Sequence, residues 1–575
     1  MYRIIPVLLV AAFFTCSCQN KTENDLAARI LADAYLQQVD SMARQLMKKG
    51  FYAGSGYQMV WARDLNTFIE LSCQEYNHSV IRENLLMFFH FQRENGELLD
   101  GYVPREAFTW DDPHTYESET APEHIGFKNT VETDQETSLI QAIHKYIIHT
   151  KDKSILTEEV AGKSVYKRLC LAVEYLLSER YSEQYGLLTG ATTFDWGDVQ
   201  VEGGVVVDVD SLTHWSMDVY DNAMFAIALE NMAGFTNSAE EKEHWSKMRT
   251  DILSNIRLHL WDGGSGKFIP HVYIDGSPFP KEFNENEIHY HGGTAVAIEA
   301  GVLNREEIAF VLSHMKKNVE LSGAPSIGLT LYPPYPSEVL GKNVSSPYEY
   351  QNGGDWTWFG GRMIQQLIVY GLVEEAYELA KPMMERVVAN NGFYEWYKID
   401  GTPAGSGDFK GSAGVLAKSI EMFYQWANEN KTSENTVIWQ IGKNNNSGAE
   451  FALAPNDYSR FIEKDFGWED KYFLIGTSDV LADWPYILPG TSDTWGGTWG
   501  TSGWRSSTLN ILFGIDNLPK KGTWKLTIDI LDCNPDDLPL FKVTVNGESW
   551  LYRIPVINES STIEDELTGS SEYLI

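Results

Sequence analysis

Between positions 26 and 427, apolar side chains recur at intervals of three and four residues in one segment after another. The pattern is clearest over 80–91, 137–148, 165–177, 216–232, 305–316, 362–370 and 373–388. That spacing puts the apolar positions of each segment on one face of a helix, so the segments predict amphipathic helices that must bury those faces against one another. The connections are not the short, repeated turns of a plain helical array. Residues 96–131 and 322–358 are long and rich in Gly, Trp, Asp and Tyr, and loops of that length in a compact domain carry function. Roughly a dozen helices over about 400 residues fit six helical hairpins closed into a ring. The expected fold is therefore mainly α, an (α/α)6 toroid over 26–427, with loops at one end forming a cleft.

The pattern changes after that. Residues 428–435 are polar and read as a linker. Beyond them the segments 437–441, 472–475, 508–513, 523–531 and 540–545 are short, alternating and bounded by Gly, Pro, Asn and Asp, the mark of strands. Residues 436–575 are expected to form a small β-sandwich of the carbohydrate-binding kind.

At the amino terminus, Arg3 precedes an apolar run over 4–14 that is too short to cross a bilayer. The sequence Thr15-Cys16-Ser17-Cys18 follows and resembles a bacterial lipobox, with Cys18 as the lipidated residue. Thr15 stands where Leu is usual, so cleavage at Cys16 or ordinary signal cleavage stays open. The expectation is an exported lipoprotein, periplasmic or at the cell surface, with residues 1–18 removed and membrane contact only through the anchor. Cys73, Cys170 and Cys533 then remain, with no paired spacing for a disulfide framework or a zinc site. A formal charge of −35 excludes nucleic acid, anionic membrane surfaces and highly anionic glycans as partners.

Four segments combine carboxylates with aromatic or amide side chains. Tyr57-Gln58-Met59-Val60-Trp61-Ala62-Arg63-Asp64 heads a helix, with Arg63 and Asp64 as a donor and acceptor pair for sugar hydroxyls above the Trp61 ring; the same pair also suits a cap and a salt bridge. Thr192 to Gln200 carries Asp195-Trp196-Gly197-Asp198 in a loop, where crowding by Trp196 and Asp195 is expected to keep a carboxyl protonated. The segment from Tyr348 to Arg362, with Gln351-Asn352-Gly353-Gly354-Asp355-Trp356-Thr357-Trp358 within it, offers polar side chains and two indoles as subsite walls. In Asn391-Gly392-Phe393-Tyr394-Glu395-Trp396-Tyr397 a lone Glu lies among four aromatic residues, as a general base would.

In this order the motifs resemble the six-hairpin glycosidases, in particular the amylo-1,6-glucosidase and processing α-glucosidase branch, with glucoamylases more distant. The resemblance covers about residues 50–425. It implies a glycoside hydrolase acting with inversion, in which Asp198 matches the acid through Trp196-Gly197-Asp198 and Glu395 matches the base through Phe393-Tyr394-Glu395. Trp61, Arg63 and Asp64 match the pocket for the terminal sugar, while Asp195 competes with Asp198 for the acid role. Two carboxyls suffice for both proton transfers, so no metal or organic cofactor is implied, and the expected partner is an oligo- or polysaccharide. Sugar phosphorylases share the toroid but need a basic phosphate pocket, which the sequence does not offer. Epimerases on related toroids use histidine pairs, and His289 with His291 read as structural or hydroxyl-binding. A binding lipoprotein without catalysis and a uronide hydrolase remain as alternatives. The tail, over about 436–550, resembles the sugar-binding β-domain of rhamnogalacturonan lyases through Val437-Ile438-Trp439, Gly448-Ala449-Glu450-Phe451, Asp483-Trp484 and Val543-Thr544-Val545-Asn546-Gly547. It implies a plant cell-wall or pectic context.

Overall fold

The computed structural model describes residues 9–12, 18–108, 115–202, 207–339, 346–431, 439–442, 471–483, 509–513, 524–532, 540–545, 548–553 and 561–567. The chain divides into two compact units, one of Arg29–Ala427 and one of Met1–Ala28 with Asn428–Ile575.

Among the described residues of the first unit, twelve helices follow in order: α1 (Ala34–Met47), α2 (Ala62–Glu75), α3 (His78–His90), α4 (Gln135–Thr150), α5 (Val165–Glu179), α6 (Val219–Phe235), α7 (Ala239–His259), α8 (His291–Glu299), α9 (Arg305–Ser322), α10 (Thr357–Val369), α11 (Val373–Ala389) and α12 (Lys410–Asn430). The even-numbered helices are buried over most of their length, whereas α3, α7 and α9 bury one stripe. The inner helices pack in sequence, α2 on α4, α4 on α6, α6 on α8 and α8 on α10. Glycines let the last one close the ring. A Cβ on Gly361 of α10 would lie 2.7 Å from the Val415 side chain of α12, and one on Gly414 would lie 2.6 Å from Phe68 of α2. Outside, α1 packs against α11, and the Asp33 carboxylate that caps α1 also accepts from the Tyr377 hydroxyl at 2.6 Å. The unit is the expected toroid of helical hairpins.

Local chemistry sets the helix ends. Asn77, Ser164, Asp218 and Ser238 cap α3, α5, α6 and α7 with side-chain oxygens, and Asn304 and Glu307 form a capping box on α9. The cap at Asp218 explains why the helix expected over 216–232 begins at Val219: Trp215–Met217 is a strand. Likewise α12 continues to Asn430, into the expected linker. The inner helices run the same way, so their N-termini, with amides that the helix ladder leaves to outside partners and positive dipole ends, gather at one end of the ring. The loop after α3 folds over that end as a four-stranded sheet that includes Val60–Trp61, Gly101–Pro104 and His124–Phe127.

Among the described residues the second unit is mainly β, with helix in the Cys18–Ala32 segment that leads into the first unit and at Val480–Asp483. Trp524–Asp532 pairs antiparallel with Leu9–Ala12 on one side and Ser561–Leu567 on the other, Leu540–Val545 pairs antiparallel with Glu548–Arg553, and Lys471–Leu474 runs parallel to Leu509–Leu512. Residues 15–17, 437–438 and 448–451, with Trp484, Cys533, Asn546 and Gly547, lie outside the described residues. Among the described residues no helix is long and apolar enough to cross a membrane.

Candidate active site

Three carboxyls from separate parts of the chain become neighbours where the inner helices begin. Glu395 lies in the strand Tyr394–Tyr397, which pairs antiparallel with Pro403–Gly407 and has a register shift between Tyr394 and Trp396. Such a bulge re-aims a side chain, and Glu395 sits over Gly405, where a Cβ would come 2.5 Å from its Oε2. Only 4% exposed, Glu395 accepts from the Tyr57 hydroxyl at Oε1 and from the Ser406 amide at Oε2, both at 2.8 Å. Burial raises its pKa; the two donors oppose that rise, and the charge of Asp198 adds to it.

Asp198 accepts from the Gln351 amide at Oδ1 and faces the Tyr350 hydroxyl at 3.4 Å from Oδ2, while the Asn129 amide holds its carbonyl at 2.7 Å. Asp64, in the first turn of α2, is pushed up to about 7 by burial and then by the charge of Glu395, with Asp198 adding to the effect. Tyr57 and Tyr350 both feel Asp198 and Glu395, and their phenols are raised by burial first and these charges next. Asp64, Asp198, Glu395 and the two phenols thus form one electrostatic cluster.

The other residues singled out from the sequence are placed differently. Arg63 does not pair with Asp64. It donates to both oxygens of Asp134, at 2.7 and 2.8 Å, and lies 3.3 Å from Glu132, while Tyr220 donates to the same Asp134 at 2.7 Å. Its fork is engaged within the protein rather than offered to a sugar. Asp195 does not crowd Asp198: in a left-handed conformation (φ 57°), it accepts the Gly293 amide at the start of α8 with both oxygens at 2.9 Å. The expected burial effect falls on Asp195 itself, whose carboxyl is pushed up to about 8.

The indoles also turn inward. Trp196 packs edge-on against Trp356 and Trp358, with centroids at 4.5 and 5.5 Å, and none of the three exceeds 5% exposure. They form a floor beneath the cluster rather than open sugar platforms. Asn352 exchanges hydrogen bonds with the backbone of Tyr335 at 2.8 and 2.9 Å. Asp355 accepts from the Ser326 hydroxyl and pairs with Arg386 at 2.8 Å, fully buried. Both residues fix the loop instead of facing substrate. Trp61 stays half-buried, edge-on to Phe127 at 5.6 Å and close over Gly101. His291 is held by the Leu329 carbonyl and Asn318, which suits the structural reading, and burial pushes it to about 3.

Sequence reasoning gave no role to Tyr57, Tyr350, Ser406, Asn129 or Asp134. Tyr57 opens one of the motifs singled out and Tyr350 stands beside Gln351 of another, so their hydroxyls were available as a signal; nothing local marked the other three. Among the described residues no three His, Cys, Asp or Glu side chains group as a metal site.

A helical toroid whose inner-helix starts gather acids and aromatic rings defines a carbohydrate-active enzyme of the glycosidase type. Residues 32–355, over half the chain, match the family model described as Glycosyl hydrolase 94 superfamily, catalytic domain, and the chain belongs to that superfamily. That match includes Asp198 and Gln351 and ends before Glu395. Residues 437–572 match the CBM-like model of polysaccharide lyase family 4, domain III. No curated protein sequence matches the chain. Among solved structures, the chain is similar to a rhamnosidase from Klebsiella oxytoca with rhamnose bound, at 14% identity and a TM-score of 0.45, over 71% of this chain and 65% of that one. It is also similar to the GH63 mannosylglycerate hydrolase from Thermus thermophilus in complex with Tris and D-glycerate, at 13% identity and a TM-score of 0.46, over 67% of this chain and 100% of that one.

Proposed function

We propose that the chain is an inverting glycoside hydrolase acting on an oligo- or polysaccharide. Asp198 protonates the leaving glycosidic oxygen, and Glu395 takes a proton from the water that attacks the anomeric carbon from the opposite face. The observation that carries this reading is the cluster itself: the charge of Asp198 acts on Glu395, and two donors hold Glu395 and favour the carboxylate form a base requires, against the burial that raises its pKa. Asp64, half-buried beside them, accepts from a hydroxyl of the bound sugar. Water as the acceptor, rather than phosphate, is supported by the engagement of the nearby cations: Arg63 by Asp134, Arg386 by Asp355 and Lys410 by the Tyr52 carbonyl. The same engagement disfavours a uronide hydrolase, which needs a free cation at its first subsite. The match of the tail to a polysaccharide lyase domain supports a plant cell-wall glycan as the context, with an α-glucosidic linkage as the other candidate.

The test is a panel of plant and α-glucan oligosaccharides followed by proton NMR of the anomeric signal. Release of one sugar with inverted configuration, abolished in Glu395→Gln, is the expected result. Retained configuration, or a carboxyl separation near about 5 Å instead of about 6.5 to 9.5 Å, overturns the mechanism. Binding without turnover on every glycan would favour a surface-binding lipoprotein. The lipobox-like segment supports export with a lipid on Cys18; mass spectrometry of the mature N-terminus, with Cys18→Ser expected to free the protein from membranes, tests that.

A further inference from the structure

Gln351 is 1% exposed and sits in a loop that leaves its backbone no freedom. Tyr348 and Tyr350, just before it, adopt left-handed conformations, with φ of 65° and 47°. Hydrogen bonds lock that shape: the Tyr348 amide to the Asn352 carbonyl at 2.8 Å, and the Gly354 amide and the Trp356 indole to the Tyr350 carbonyl at 3.1 and 2.9 Å. Within this clamp the carboxamide of Gln351 is used on one side only. Its Nε2 donates to Asp198 Oδ1, while its buried Oε1 has no hydrogen-bond partner. A buried acceptor without a donor is costly. Space has nevertheless been kept for it, because Gly197 bears no side chain where a Cβ would come 2.9 Å from that oxygen.

A primary amide is a donor on one edge and an acceptor on the other, and half a turn about its last torsion exchanges them. With Nε2 toward Asp198 it stabilises the carboxylate; with Oε1 toward Asp198 it accepts the proton of the carboxylic acid. We propose that Gln351 is the positioning residue of Asp198 and turns its amide over between the two protonation states. Each protonation state then has its own hydrogen bond to Gln351, one before the transfer and one after it, rather than one form being favoured throughout. The inference rests on Asp198 as the acid. In the step, the Asp198 hydroxyl turns from Oε1 to the glycosidic oxygen, its O–H bond breaks and the proton passes over as the bond to the anomeric carbon breaks, and Glu395 takes the proton of the attacking water. Asp198, now a carboxylate, then accepts from Nε2, with the Tyr350 hydroxyl near its other oxygen. Solvent returns a proton to Asp198 and removes one from Glu395. The charged and titratable groups around this exchange are Glu395, Asp64, Tyr57 and Tyr350, with the Arg63 guanidinium acting on Asp64 and Tyr350.

The test needs no substrate. Infrared difference spectra of the full-length protein across a pH titration are expected to show the Gln351 side-chain carbonyl band shifting as Asp198 titrates, with the shift absent in Asp198→Asn and in Gln351→Met. An unchanged amide band through the Asp198 titration overturns the proposal. Kinetics on dinitrophenyl and methyl glycosides of the released sugar separate it from the reading beneath it. Gln351→Met should lose about tenfold on the methyl glycoside, which needs an acid, and little on the dinitrophenyl glycoside, which does not. Equal losses on both, alongside an Asp198→Asn variant that discriminates between them, would show a merely structural Gln351. If Asp198→Asn also fails to discriminate, the acid assignment falls first and the inference with it. Gln351→Glu, which keeps length and one acceptor, should restore part of the methyl glycoside activity at low pH only; near-ultraviolet circular dichroism checks that each variant folds.

Discussion

Two sets of carboxyls surround the starts of the inner helices, and they differ in what holds them. Asp134, Asp195 and Asp355 are each tied to a protein partner, a guanidinium fork, a helix-end amide or a buried arginine. Asp64, Asp198 and Glu395 meet phenols, amides and one another. The contrast is sharpest between immediate neighbours. Arg63 is drawn inward while Asp64 stays at the mouth, and Asp195 anchors α8 while Asp198, three positions later, faces Gln351. A common helix-end environment attracts acids of both kinds, and only the partner decides whether an acid supports the scaffold or is left for chemistry.

Exchanging the two sets should give opposite phenotypes. The largest effect expected is on turnover: Asp198→Asn and Glu395→Gln should each lower kcat by about 10²- to 10⁴-fold and leave the unfolding midpoint nearly unchanged. Asp355→Ala should do the reverse. It strands the Arg386 guanidinium in the interior, a loss of about 3–5 kcal/mol in denaturant unfolding, and a loss of activity without a loss of stability would break the comparison. Asp195 provides a pH test. Its carboxyl is raised from an ordinary 3.8 to about 8, so the folded state holds a proton that the unfolded state releases. The stability it contributes is complete below about pH 4 and is lost as pH rises toward about 8. Asp195→Asn, which mimics the neutral acid, should flatten that part of the stability profile measured by urea unfolding. The smallest effect is expected at Asp64, pushed up to about 7. Asp64→Asn should raise KM several-fold above neutral pH, where the wild-type carboxylate is the stronger acceptor, and little at pH 5. Equal effects at both values would mean that the carboxyl does not touch the sugar.

Which acid belongs to which set was not legible in the sequence, although the toroid was. Periodicity over 165–177 and 373–388 marks α5 and α11 because the signal is local to each helix. The fate of Arg63 depends on Asp134, 71 positions away, and the Tyr57 partner of Glu395 is 338 positions away. The indoles of Trp356 and Trp358 mislead for a related reason. Beside Gly, Asn and Asp they look like loop aromatics, but α10 starts at Thr357 and carries the second indole into the packed interior. What the sequence did mark is the set of short motifs themselves, since Asp64, Asp198, Gln351 and Glu395 each lie within one.

The closure of the ring by α12 also fixes an order in time. Lys49 pairs with Asp408, the Ser55 amide bonds to the Gly407 carbonyl, and Lys410 reaches the Tyr52 carbonyl, so the first and last parts of the toroid are joined by contacts more than 350 positions apart. A chain emerging from the ribosome carries Asp64 and Asp198 long before the hairpin with Glu395 exists, and contacts of such long range form late. On the proposed assignment every unfinished product therefore lacks its base, so that activity would arrive in one step, with the last hairpin, and a truncated copy would be silent rather than half active.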